Sequence, residues 1–129
     1  MVLLNEEQIS LQKKAYSFAK KHLRSNEAKW EAEGTFPKET FAMAKSEGYV
    51  GMLIPKELGG QGLGFSDSAL VYESLARGSF TFTFWLGVHN AVSYGVYLAE
   101  VDESIVREIA TGEKLIAIGL TEPGAGSDP

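Results

Sequence analysis

From Phe80 to Leu98 the chain is apolar almost all round, with Phe82, Phe84, Trp85, Leu86, Val88 and Val92 spread over every side of a helix. A helix with no polar face has to be enclosed by others, because no side of it is suited to water. The segment therefore predicts a core helix, and no run in the chain reaches the roughly 18–20 apolar residues of a membrane span. Aromatic and β-branched residues at its start leave a strand open for residues 81–85. Such a helix needs partners, each with one apolar face. The 129 residues give room for a single domain to supply them.

The partners are legible on both sides. Asn5 precedes Glu6, Glu7 and Gln8, which places a capping asparagine three residues before a glutamine that can bond back to it. Leu11, Ala15, Phe18 and His22, with Ala19 and Leu23 one stripe over, then recur at helical spacing. Lys13, Lys14, Lys20, Lys21 and Arg24 fall largely opposite, so one amphipathic helix is predicted to run from Asn5 to about Trp30. Pro37 suits the opening of a second helix, and Gly48 its left-handed stop. Residues 49–55 read as a buried extended connector, and Gly59, Gly60, Gly62 and Gly64 as a loop. Ser66 and Asp67 cap a third helix with Ala69, Tyr72, Glu73 and Ala76 inward, ending near Gly78. After the Phe80–Leu98 helix, a short polar one is expected from Asp102 or Ser104 to Thr111, closed by Gly112. Residues 114–120, rich in Leu and Ile, read as a strand. The predicted fold class is all-α, a bundle of five to six helices with one terminal β-strand.

Composition removes several functions. A net charge of −5 argues against a nucleic-acid partner. Without cysteine there is no disulfide, thiolate nucleophile or cysteine-held metal. His22 and His89 are too few for a histidine-based metal site, and His22 is expected at the core or its boundary, as are Trp30 and Trp85. No secretory signal opens the sequence. The chain is expected to be soluble and intracellular, in the cytoplasm, or in the mitochondrial matrix if the source is eukaryotic.

Two glycine-rich stretches remain. The first, at 59–64, lacks the Lys-Ser or Lys-Thr ending of a P-loop and the strand-to-helix setting of a dinucleotide fingerprint, so the turn reading is preferred to phosphate binding. The second follows the predicted strand: Leu120-Thr121-Glu122-Pro123-Gly124-Ala125-Gly126-Ser127-Asp128. Its glycines let backbone N–H groups approach a ligand, and Thr121 and Ser127 add neutral donors and acceptors. On residue types alone a plain Gly-Pro turn is the favoured reading. A lone strand cannot satisfy its own backbone groups, which suggests a larger protein of which this is the beginning.

That last stretch is very similar to the signature by which acyl-CoA dehydrogenases are recognised. Gly112-Glu113 upstream, Phe36-Pro37, Gly48-Tyr49-Val50-Gly51, Ile54-Pro55-Lys56-Glu57-Leu58-Gly59-Gly60-Gln61-Gly62 and Glu73-Ser74-Leu75-Ala76-Arg77 also resemble family blocks, so the likeness covers nearly the whole chain. His89 stands where many members have a histidine or asparagine. The family's usual Gln-Lys pair and Leu-Pro are replaced by Glu100-Val101-Asp102-Glu103-Ser104-Ile105-Val106-Arg107, which leaves the subfamily open.

The resemblance implies that residues 1–114 are the N-terminal helical domain and 115–129 the first strand and flavin loop of a middle β-domain. It implies FAD as cofactor, with Ile118, Leu120 and Thr121 against the flavin ring and Gly126 and Ser127 at the phosphates. Ser127 would also touch the acyl-CoA substrate, and Leu86, Gly87 and Asn90 would close the acyl end of its tunnel. The implied reaction is α,β-dehydrogenation of an acyl-CoA, with an electron-transferring flavoprotein as acceptor and a homodimeric or homotetrameric parent. The family's base is a glutamate of a C-terminal domain, so no catalytic residue is expected here. Glu73 is expected to pair with Arg77 and Glu122 to be structural. A related flavin oxidase or monooxygenase, and a non-catalytic helical interaction module, are the alternatives.

Overall fold

The computed structural model describes residues 4–35, 37–124 and 126. Six α-helices follow in order: α1 (Glu6–Phe18), α2 (Glu27–Glu33), α3 (Lys38–Ser46), α4 (Phe65–Ala76), α5 (Phe80–Leu98) and α6 (Glu103–Ala110). No strand forms among the described residues. The chain is all-α. The predicted strand at 114–120 is not formed, because no second strand among the described residues offers a ladder to pair with.

α1 begins as its sequence dictates. Asn5 accepts from the N–H of Gln8 at 2.8 Å and the Gln8 side chain accepts from the N–H of Asn5 at 3.2 Å, closing the capping box. The helix does not run unbroken to Trp30. It widens into a π turn at Ala19–Leu23, where the N–H of Arg24 reaches back to Ala19 O at 3.0 Å. It then breaks, with the Asn26 amide donating to His22 O at 3.1 Å. Side-chain competition of this kind ends helices. The widened turn lies against Gly78, where an added Cβ would stand 2.7 Å from Ala19 O. Backbone contact there leaves no room for a side chain.

α4 packs on both α1 and α5, and α5 on α6. The α4 start differs from expectation: Gly64 is the N-cap, and the Asp67 carboxylate instead accepts from Gln8 Nε2 at 2.9 Å, tying α4 to the first turn of α1. Its buried face is also turned by one residue. Ser68, Val71, Ser74 and Leu75 lie inside, whereas Ala69 and Glu73 are exposed and Tyr72 and Ala76 half-buried. Ser74 can go inside because its hydroxyl bonds its own helix, Oγ donating to Leu70 O at 2.8 Å, whereas Ser68 Oγ is buried without a partner among the described residues. The expected Glu73–Arg77 pair forms at 3.1 Å, and the Arg77 guanidinium also covers the Tyr16 ring.

Residues 49–55 are buried as expected but turned, not extended. Gly51 has φ +71°, and an added Cβ would stand 2.3 Å from Ala110 O, so this turn presses its backbone onto the end of α6. The main core gathers Phe18, Leu23, Phe41, Met52, Leu75 and Leu86, with Trp30 and Trp85 packed at its edge. A smaller cluster joins Ile54 and Leu58 to Val106 and Ala110 of α6. His22 sits at the boundary with its ring against Phe18. α6 has Asp102 as N-cap and Gly112 at φ +70° beyond its end.

Candidate functional site

α5 turns out to be built inside out. Its buried face carries Thr83, His89, Asn90 and Ser93 beside Phe82 and Leu86, while Phe80 and Phe84 are 67% and 63% exposed. Each buried polar group has a partner. Thr83 Oγ1 donates to Ser79 O at 2.7 Å and Ser93 Oγ to His89 O at 2.6 Å. Asn90 donates to Tyr49 O at 2.9 Å and to Leu86 O at 3.1 Å, and accepts from Met52 N–H at 3.1 Å. His89 Nε2 lies 3.0 Å from Ile109 O, and its Nδ1 accepts from Ile116 N–H at 3.3 Å. With these needs met inside, the apolar side of the helix is free to face outward.

That outer side forms an open groove of ≈ 460 Å³ between α4 and α5. Tyr72, Glu73 and Ala76 of α4 line it, with Phe80, Thr83, Phe84, Gly87, Val88 and Ala91 of α5. The Phe80 and Phe84 rings stack at 5.9 Å, making one aromatic edge. A lining this rich in carbon suits an apolar ligand. Burial pushes the Tyr72 phenol up to about 12, against a smaller lowering by the Asn90 amide, so it stays a neutral hydroxyl.

The residues expected to close an acyl tunnel are divided by this geometry. Gly87 lines the groove. Leu86 and Asn90 point the other way, into the core, where Asn90 is fully engaged with backbone. Phe80, Phe84, Tyr72 and Ala76 were not singled out for such a role. The signal that finds them is the spacing of Phe80, Phe84, Gly87, Val88 and Ala91, one helical face on which Thr83 is the polar residue. The opposite face holds the His, Asn and Ser that need internal partners.

The second expected site follows α6. Ile118 and Leu120 are 59% and 55% exposed, a pair of large aliphatic side chains turned to solvent. Thr121, Gly124 and Gly126 are also exposed, and the loop curls so that a Cβ on Gly126 would stand 3.9 Å from Thr121 Cγ2. Ser127 lies outside the described residues. Exposed aliphatic side chains followed by a glycine loop with open space around Gly119 and Gly124 are compatible with covering a planar ring system. No cluster of potential metal ligands occurs among the described residues.

The described residues thus form an all-α domain with a largely apolar groove on one face and an exposed glycine loop after its last helix. Residues 5–113 match the family described as acyl-CoA dehydrogenase, N-terminal domain, and the chain belongs to that family. It is 33% identical over 128 residues to mitochondrial isobutyryl-CoA dehydrogenase of Bos taurus, covering 97% of this chain and 31% of that protein. Its fold superposes on a glutaryl-coenzyme A dehydrogenase in complex with glutaryl-CoA at TM-score 0.88 and 31% identity, over 99% of this chain and 34% of that one. A structure described as PigA with FAD and proline matches at TM-score 0.88 and 28% identity, over 99% of this chain and 35% of that one. The chain thus spans about a third of the length of the relatives it matches. No described helix is long and apolar enough to cross a membrane.

Proposed function

We propose that this chain is the N-terminal helical domain, residues 1–114, of an FAD-dependent acyl-CoA dehydrogenase, with residues 115–129 leading into a middle β-domain. The single observation that carries the reading is the inverted α5, whose apolar residues line an open groove where a soluble helix would normally be polar. In this reading the acyl chain lies along Gly87, Val88 and Ala91, with Phe80 and Phe84 shielding it from water. Ile118, Leu120 and Thr121 cover the flavin ring, and the backbone of Gly126 with Ser127 meets the phosphates. Bound FAD supplies the electron acceptor for α,β-dehydrogenation. The chain's own part is to bind, orient and dry the acyl group. The base that removes the α-proton belongs to another domain, an electron-transferring flavoprotein takes the electrons, and the assembly is a homo-oligomer of the cytoplasm or mitochondrial matrix.

The test uses a longer protein that contains this chain. Purified, it is expected to be yellow with FAD, and anaerobic addition of short and branched acyl-CoA thioesters should bleach the flavin. Phe84→Arg should raise KM for the acyl-CoA by about tenfold or more with flavin content unchanged, because a cation in an apolar groove costs well over 1 kcal/mol. A colourless protein, or a Phe84→Arg enzyme with unaltered KM, overturns the assignment.

A further inference from the structure

We propose that His89 is a positioning residue for the segment that carries Ile118, Leu120 and Thr121. Its neutral ring bridges Ile109 O and Ile116 N–H and so fixes where that segment leaves the helical body. The two partners lie on either side of the end of α6 and are both backbone. A carbonyl can only accept, so Nε2 must carry the hydrogen; an N–H can only donate, so Nδ1 must be bare. The tautomer is therefore dictated by the fold.

The bridge is well supported. His89 is fully buried, the Trp85 ring stacks over it at 6.2 Å, and Ser93 Oγ holds its backbone carbonyl. On α6 and the segment after it stand Glu103, Arg107, Glu108, Glu113 and Lys114. On α6, Glu108 pairs with Lys114 of the following segment, and Arg107 pairs with Glu103 and donates to Glu57 O. Burial holds the imidazole below its ordinary value, against a smaller raising from Ile109 O. A second proton would fall on Nδ1 and face the Ile116 N–H, donor against donor, so the bridge to the segment would part while the bond to α6 could persist.

The bearing of this bridge on a cofactor rests on the function proposed above; the bridge itself does not. On the full 129-residue chain, two-bond 15N correlation spectra of the imidazole should show a bare Nδ1 and a protonated Nε2 at neutral pH. Hydrogen exchange at the Ile116 amide, corrected for intrinsic rate, should speed up about tenfold as His89 titrates, while the Leu86 amide keeps its protection. His89→Phe, which keeps a planar ring but has no nitrogen, should show the same loss at Ile116 at neutral pH. Should that variant fail to fold, the wild-type titration decides alone. An Nδ1–H tautomer, or an Ile116 amide indifferent to the titration, overturns the proposal. In the longer protein, His89→Phe should shift the flavin absorption band. Failure of the parent to bind FAD would overturn the cofactor assignment and leave the exchange result standing.

Discussion

The side-chain amide of Asn90 joins α5 to two points of the 49–52 turn, and its surroundings exclude water. Asn90→Leu keeps the branched shape and leaves Met52 N–H and Tyr49 O unpaired in the core. A buried donor or acceptor without a partner costs about 1–3 kcal/mol each, so a loss of about 2–6 kcal/mol is expected in urea unfolding. A loss under about 1 kcal/mol would mean that the amide is not the latch. His89 gives a second expectation at this scale. Its folded pKa lies below the ordinary 6.5, so the unfolded chain takes the proton more readily. Stability is then complete above about pH 6.5 and falls as pH drops through that value toward the lower folded one. Unfolding free energy measured from about pH 7 to about pH 5 should fall more steeply in the wild type than in His89→Phe. Tyr49, pushed up to about 12 first by burial and then by Glu47, stays neutral throughout that window.

At the scale of elements, two glycines sort themselves by what surrounds them. Gly51→Ala forces a side chain into a left-handed backbone and against Ala110 O, and should cost about 2–4 kcal/mol. Gly95→Ala, in the interior of α5 with open space around it, should instead stabilise by about 0.5–1 kcal/mol. Thermal unfolding of both variants checks the pair; equal effects would show that neither local backbone is as described. The elements were also the level at which sequence was most informative. The Asn5–Gln8 box, the Phe80–Leu98 helix and the Gly48 and Gly112 stops are local patterns, and all are present. The π turn at Ala19–Leu23 was not legible, because it depends on Gly78, far along the chain, meeting Ala19. The inward face of α4 was misread by one position because Ser68 and Ser74 do not look like core residues. The groove was hidden for the same reason: hydropathy sends Phe80 and Phe84 inward, and only the internal bonds of Thr83, His89, Asn90 and Ser93 reverse the helix.

For the whole molecule, the exposed Phe80, Phe84, Leu98, Leu115, Ile118 and Leu120 are the consequence of that reversal and of the unpaired segment after α6. Apolar surface of this extent promotes association. The 129 residues by themselves should self-associate at micromolar concentration in sedimentation experiments, and a Phe80→Ser/Phe84→Ser double variant should remain monomeric. A wild-type chain that stays monomeric at high concentration counts against an uncovered face. The same chain, offered an acyl-CoA, FAD and a dye acceptor, should give no turnover, since the proposed base and most cofactor contacts lie in other domains.

Because the frame of α5 is fastened by amide, imidazole and hydroxyl groups on one side, the hydrocarbon lining on the other is released from any duty to the fold. Exchanging Phe84 or Val88 for a smaller or larger residue alters the space offered to a cargo without loosening the scaffold. A helix fastened in this way lets a few outward positions vary while its architecture stands still.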